Sequence, residues 1–272
     1  MIRLAGMTSI FPDLTLEEGL AALSRHGYQG LEARVEWKHR SGIEASLTAA
    51  QRAEVRRKVE DAGLTVCAVA TSVRAAEGDP EARAKHMRDL DGYIDLAADL
   101  GAQYVRTFGG PRPRDRELKY VVDYVVEAYS SVLDHAADRS VVVLMETHDD
   151  WSHSSEVAAV VERVNHPNLK VLWDIMHPQR MMEKPAETFG VIGHLTRHLH
   201  AHDGVYPEGG TRMEMRPLGE GVFDHATPLR LLDEAGFDGF FSVEVIHAPG
   251  SDHDAEGVLR QYSEAFRRIM GP

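Results

Sequence analysis

The sequence holds one cysteine, Cys67, so no disulfide can close within the chain. Its place in the apolar run VCAVA marks a small core residue, and a chain without disulfides suits a reducing cytoplasm. Long apolar runs are missing too. No stretch of about 18 apolar residues exists, which excludes a spanning helix and leaves no membrane partner to expect. The opening residues, MIRLAGMTSIFPDLTLEEGL, lack a sustained apolar core behind a charged start, so no signal peptide is expected. Positive charge is scarce: 30 Lys and Arg stand against 43 Asp and Glu, a formal net charge of −13. That balance disfavours nucleic acid, which needs a basic face. Neither a P-loop nor a GxGxxG after the first apolar run is present, so the open dinucleotide-binding sheet loses its main signature. No linker or compositional break divides the chain, and residues 1–272 read as one domain.

What is present is a repeated local pattern. A helical stretch ends in Gly and a short apolar run follows, as in HGYQGLEAR, AGLTVCAVA, LGAQYVRTF and AGFDGFFSVEV. Gly27, Gly63, Gly101 and Gly236 suit the left-handed position past a helix end. The runs that follow are too short for helices and rich in Val, Phe and Tyr, as buried parallel strands are. Thr15-Leu-Glu-Glu18 and Thr48-Ala-Ala-Gln51 fit capping boxes. Asp79-Pro80 and Thr227-Pro228 place a capping side chain before a proline. Strands are expected near 2–8, 29–34, 64–71, 103–108, 140–147, 170–175, 196–202 and 239–245. Helices are expected near 15–26, 48–61, 80–100, 117–137, 154–164, 185–193, 225–235 and 255–269. Eightfold strand–helix alternation is the signature of a closed α/β barrel, the (β/α)8 TIM barrel. The longer irregular segments 35–47, 109–116, 148–153, 176–184 and 203–224 all follow strands, where that fold carries its catalytic face.

Ionisable residues collect at the ends of the last four strands. The fifth reads VVVLMETHDD with Glu146, the sixth KVLWDIMHP with Asp174 and His177, the seventh RHLHAHDG with His198, His200 and His202, and the eighth FFSVEVIHA with Glu244. A charge at the end of a buried strand is costly unless it is paired or metal-bound. Three carboxylates at one barrel mouth repel, and a divalent cation resolves the conflict. Glu146, Asp174, His200 and Glu244 are therefore the candidate ligands, and three oxygens with one imidazole suit Mn²⁺ best, with Mg²⁺, Co²⁺ or Zn²⁺ as alternatives. The competing reading pairs Glu146 with Arg106 as an ion pair, and makes either His198 or His200 a core histidine. His148, His202 and Arg106 are further candidates at the mouth. Trp37 either covers the substrate or packs locally. His247 and His253 read as surface residues, and the HDD at 148–150 as a solvated loop.

These motifs give the chain its resemblance to a known family. GYQGLEARVEW, ETH, WDIMH, HLHAHD and PLGEGVFDHATPLRLLDEAGFDGFFSVEV resemble the xylose isomerase-like TIM barrel superfamily, in its sugar phosphate isomerase/epimerase branch, over essentially the whole chain. The resemblance implies metal ligation by Glu146, Asp174, His200 and Glu244. It also implies proton exchange by Glu146 and Glu244, substrate contact by His177, and frequent homo-oligomers. Two departures bear on the substrate. The ketose 3-epimerases carry an arginine where this chain has Tyr206, with Arg212 or Arg216 as the candidate substitutes, and many members have Lys-Asp where this chain has His202-Asp203.

The expected chemistry is a proton shifted next to the carbonyl of a small polyhydroxylated substrate, through an enediolate. Return of the proton to the opposite face gives epimerisation, and return to the neighbouring carbon gives isomerisation. Loss of a β-hydroxyl gives a dehydratase of an inosose-like or dehydroshikimate-like compound, the main alternative. An endonuclease IV-like repair enzyme shares the barrel but needs more ligands and a positive groove. A metal-dependent accessory subunit without catalysis is the remaining rival.

Overall fold

The computed structural model describes residues 1–210 and 212–271. Eight strands close a parallel barrel: β1 (Arg3–Met7), β2 (Gly30–Arg34), β3 (Thr65–Arg74), β4 (Tyr104–Phe108), β5 (Val142–Glu146), β6 (Leu169–Asp174), β7 (Thr196–Ala201) and, closing against β1, β10 (Phe240–Val243). Each of the eight expected runs forms one of these strands. The fold is the (β/α)8 barrel. A small antiparallel hairpin, β8 (Asp203–Val205) and β9 (Glu214–Arg216), interrupts the segment read as irregular between β7 and β10.

Helices α1 (Leu16–Arg25), α2 (Ala49–Asp61), α3 (Pro80–Leu100), α4 (Leu118–Ser130), α5 (Leu133–Asp138), α6 (Ser154–Val164), α7 (Met176–Arg180), α8 (Pro185–Ile192), α9 (Ala226–Glu234) and α10 (Ala255–Met270) fill the connections. Thr15 and Thr48 form the expected capping boxes, and Asp79 accepts from the Ala82 N–H at 2.8 Å ahead of Pro80. Gly101 ends α3 at φ 74°, a conformation that would strain any side chain.

Two expectations need correction. The stretch 117–137 is two helices. Ser130 Oγ and Ser131 Oγ donate to the carbonyls of Val126 and Ala128, each at 2.7 Å, and such bonds compete with the helical ladder where it breaks. Thr227 does not cap α9. The helix already includes it, and the Asp224 carboxylate accepts the Thr227 N–H at 2.9 Å.

Alternation along the strands sorts the core. Outward residues such as Val143, Met145, Leu199 and Phe241 join the large cluster beneath the helices. Inward residues Ala5, Cys67, Ala68, Tyr104, Leu144, Leu172 and Phe240 plug the lower barrel. Cys67 is buried there, as its apolar setting implied, and burial pushes its thiol well up. Above that plug the inward positions turn polar. No helix among the described residues is long and apolar enough to cross a membrane.

Candidate metal centre and active site

The same two-residue period builds the mouth. Glu146 lies above Leu144, Asp174 above Leu172, His200 above His198 and Glu244 above Ser242. The pairing register sets Asp174 and Ser242 beside His200. As a result, Glu146, Asp174, His200 and Glu244 each present an atom within 4.8 Å of the other three. Glu146, Asp174 and His200 are fully buried, and Glu244 is 6% exposed. His200 Nδ1 lies 2.9 Å from Glu146 Oε1 and 3.2 Å from Glu244 Oε2. The Asp174 carboxylate is split in its duties. Oδ1 accepts the N–H groups of Met176 (2.9 Å) and His177 (3.2 Å), which turns Oδ2 toward the cluster.

The donor set fits a cation. Glu146 Oε2, Asp174 Oδ2 and Glu244 Oε2 are buried and accept no well-aimed hydrogen bond, their contacts being Arg106, His202 and His200. Three carboxylates gathered in an interior repel one another, and one divalent ion would answer all three. Burial opposes ionisation of Asp174, but His202 and His177 outweigh it and hold the carboxyl far below the usual range. Burial likewise opposes charge on Glu244, and His200 with Arg106 reverses the effect. His200 itself is disfavoured as a cation by burial, yet Glu32, Glu244 and Glu146 raise it well above an ordinary histidine. Such a proton on His200 would have to leave before the ring could ligate a metal.

The Glu146–Arg106 ion pair weighed as the rival reading is present as well. Arg106 Nε lies 3.3 Å from Glu146 Oε2, and Nη2 lies 3.8 Å from Glu244 Oε1. The guanidinium is anchored by donation to the Thr71 carbonyl at 2.8 Å and stacks over Phe108 at 4.0 Å. It therefore balances two of the carboxylates without separating them.

Three histidines line one wall. His202 Nε2 lies 2.8 Å from Asp174 Oδ2, and His177 Nε2 lies 3.8 Å from the same oxygen. The His177 ring packs 4.3 Å from His148 and 5.6 Å from His202. Burial brings the His177 imidazole down to about 3, with His148, His202 and Arg180 adding to the effect against Asp174, so it is neutral at pH 7. His148 goes the other way. Burial alone would lower it, but Asp149, 2.9 Å away, with Glu146 and Glu244, pushes it up to about 9. Arg216 is not brought to the four ligands. It stands exposed on the β9 hairpin at the rim of the same cavity, paired with Glu214 at 2.7 Å. Arg212 does not line that cavity, and Tyr206 accepts a hydrogen bond from Arg180 Nε at 3.2 Å.

Other loop expectations divide. The HDD segment is only partly a solvated loop, with Asp149 exposed and its two neighbours half-buried. His148 is at the mouth, Asp149–Trp151 is a 3-10 turn, and Asp150 accepts from Arg114 and the Arg112 N–H. Trp37 packs locally, with the Arg34 guanidinium 4.1 Å over its ring. His247 is half-buried rather than a surface residue. It lies 2.8 Å from the Ile10 carbonyl and stacks on His253 at 4.4 Å.

Sequence reading missed Glu32 and Asp203. Glu32, fully buried in β2, lies 2.9 Å from His200 Nε2 and 3.0 Å from His198 Nε2. It makes His198 the core histidine of the pair. The signal was a lone carboxylate inside the buried run GLEAR, costly without a partner. Asp203 accepts the N–H groups of Gly204 (2.8 Å), Gly219 (2.9 Å), Gly221 (3.1 Å) and Phe223 (3.4 Å), which ties down both ends of the hairpin loop. A Cβ on Gly221 would fall 1.8 Å from Asp203 Oδ1. Gly221→Ala should therefore cost ~1–3 kcal/mol in denaturant unfolding and speed proteolysis within 204–222. Wild-type stability with wild-type protease resistance would contradict this anchoring role.

The family model described as xylose isomerase-like TIM barrel matches residues 20–269. A Mus musculus protein named as a candidate hydroxypyruvate isomerase is 25% identical over 95% of this chain and 94% of its own length. The probable 3-DHS dehydratase of petrobactin synthesis from Bacillus anthracis superposes with a TM-score of 0.80 at 17% identity, over 97% of this chain and 98% of the other. An L-ribulose 3-epimerase structure superposes with a TM-score of 0.79 at 16% identity, over 99% and 95%.

Proposed function

The chain belongs to the xylose isomerase-like TIM barrel family, and from that premise we propose that it is a divalent-metal-dependent isomerase or epimerase of a small polyhydroxylated carbonyl compound. One observation carries the reading: three buried carboxylates and one imidazole converge within 4.8 Å. Glu146, Asp174, His200 and Glu244 would hold the ion, with Mn²⁺ the best match to an oxygen-rich set. When bound, the ion supplies positive charge against which negative charge on a substrate oxygen is stabilised.

The chain's own residues do the rest. Glu146 ends β5, Glu244 directly follows β10, and the two share His200 and Arg106 between them. One carboxylate takes the proton next to the carbonyl and the other returns it. Arg106 offsets the charge that remains on the pair. His177, neutral and facing the mouth, offers a hydrogen bond to a substrate oxygen, and His148 and His202 close the wall beside it. The likeness to a dehydratase structure favours a second reading, in which the same proton abstraction is followed by loss of a β-hydroxyl.

A deuterium-exchange screen tests the proposal. Ketoses, aldoses and cyclic polyol ketones are incubated in D₂O with Mn²⁺ and followed by NMR. Solvent deuterium at one carbon next to the carbonyl is expected, and loss of water would select the lyase. No exchange on any carbonyl compound would remove the proposed activity.

A further inference from the structure

Glu244, the one proposed ligand to reach it, lines the floor of a cavity of about 820 Å³ with His148, His177 and His202, and the cavity opens between the β8–β9 hairpin and α10. That volume lies toward the upper end of small-molecule sites. Its wall is mainly apolar, with Met213, Met215, Ile246 and Val258. Polar recognition away from the floor therefore rests on few groups. Asp254 lines the cavity, but its carboxylate is engaged with the Gly257 N–H at the start of α10. Arg216 is paired with Glu214. Arg180 and Arg260 line the cavity and have no carboxylate within ion-pair distance among the described residues.

Arg180 is the better placed of the two. It ends α7, the short helix that Asp174 orients, so its position is set by a proposed metal ligand. Nε donates to Tyr206 Oη at 3.2 Å, and Nη1 lies 3.3 Å from His177 Nδ1. A phenol oxygen and an imidazole nitrogen, not a carboxylate, thus hold the guanidinium beside the cavity floor. Arg180 is exposed at the cavity rim, so its fork is open to whatever enters the cavity. A guanidinium fork matches carboxylate and phosphate oxygens.

We infer that the carbonyl substrate carries an anionic group, a carboxylate or a phosphate, and that Arg180 binds it. This rests on the proposed function, since it places that group relative to the metal floor. Tyr206 then has a part of its own. It holds Arg180 in place, so the cation that reads the substrate arrives from α7 after β6 and not from the loop after β7.

Calorimetry on the Mn²⁺-loaded protein tests the assignment. The probes are hydroxypyruvate, 3-dehydroshikimate and D-fructose 6-phosphate, with L-ribulose and D-psicose as neutral controls. Arg180→Gln should raise Kd for the anionic probes about tenfold, the loss expected for one charged hydrogen bond, and leave the neutral ketoses unchanged. Arg180→Lys should restore part of the affinity. A loss confined to the acids identifies a carboxylate, and one confined to the phosphorylated ketose identifies a phosphate. Equal loss for charged and neutral probes, or no loss for any anion, overturns the inference. If anions bind through Arg180 but no probe exchanges deuterium, the anion site stands and the proton-transfer reading falls.

Discussion

Glu146→Gln and Glu244→Gln, made separately, should each lower turnover by ~10³-fold, the scale of a lost general acid or base. Each substitution keeps the side chain's shape and a coordinating oxygen, so the barrel should remain folded by circular dichroism. The deuterium pattern separates the two roles. If the enzyme epimerises, each single variant should still exchange the proton of one epimer while failing to convert it to the other. The carboxylate that remains can remove and return a proton on its own face only. Unchanged turnover in both variants would contradict their assignment and favour an accessory subunit without catalysis.

Glu32→Gln should weaken Mn²⁺ binding by roughly 10- to 100-fold, the usual cost of losing the carboxylate behind a ligating histidine. Glu32 lies 2.9 Å from His200 Nε2, where it would hold a proton on that nitrogen and leave Nδ1, which faces Glu146 and Glu244, to bind the ion. Burial opposes its charge, but His200 and His198 hold the carboxyl well below the usual range. A neutral amide gives up that charge and can present the wrong group to either ring. Electron paramagnetic resonance of free Mn²⁺ during titration reads the affinity directly, without an activity assay. An unchanged affinity would reduce Glu32 to a packing partner of His198.

The parts of the molecule legible in the sequence were those set by local periodicity. Apolar runs behind helix-ending glycines marked four barrel strands, β2, β3, β4 and β10, and apolar runs alone marked the others, because a buried parallel strand leaves little choice of residue. Glu146, Asp174, His200 and Glu244 stood out because each charge follows such a run, and strand ends in this fold face one mouth. Glu32 was hidden by the opposite circumstance. It lies within β2, where alternation allows a single charge to point to solvent, and only closure of the barrel turns it toward His200. Asp203 and the β8–β9 hairpin were equally obscure, since four backbone N–H groups spread over residues 204–223 gather on one carboxylate only after the chain has folded. The break between α4 and α5 escaped notice because Val132 and Leu133 continue the apolar face across it, while the serine side chains redirect the backbone bonds. Arg180 carried no signal at all. Its meaning comes from the cavity that only the folded chain brings to it.

Anomalous scattering from a crystal soaked in Mn²⁺ tests the metal centre most directly. A single peak is expected, within about 2.0–2.3 Å of His200 Nδ1 and one oxygen each of Glu146, Asp174 and Glu244. An empty cluster at millimolar Mn²⁺, or a peak held by Asp174, His177 and His202 without the two glutamates, would contradict it.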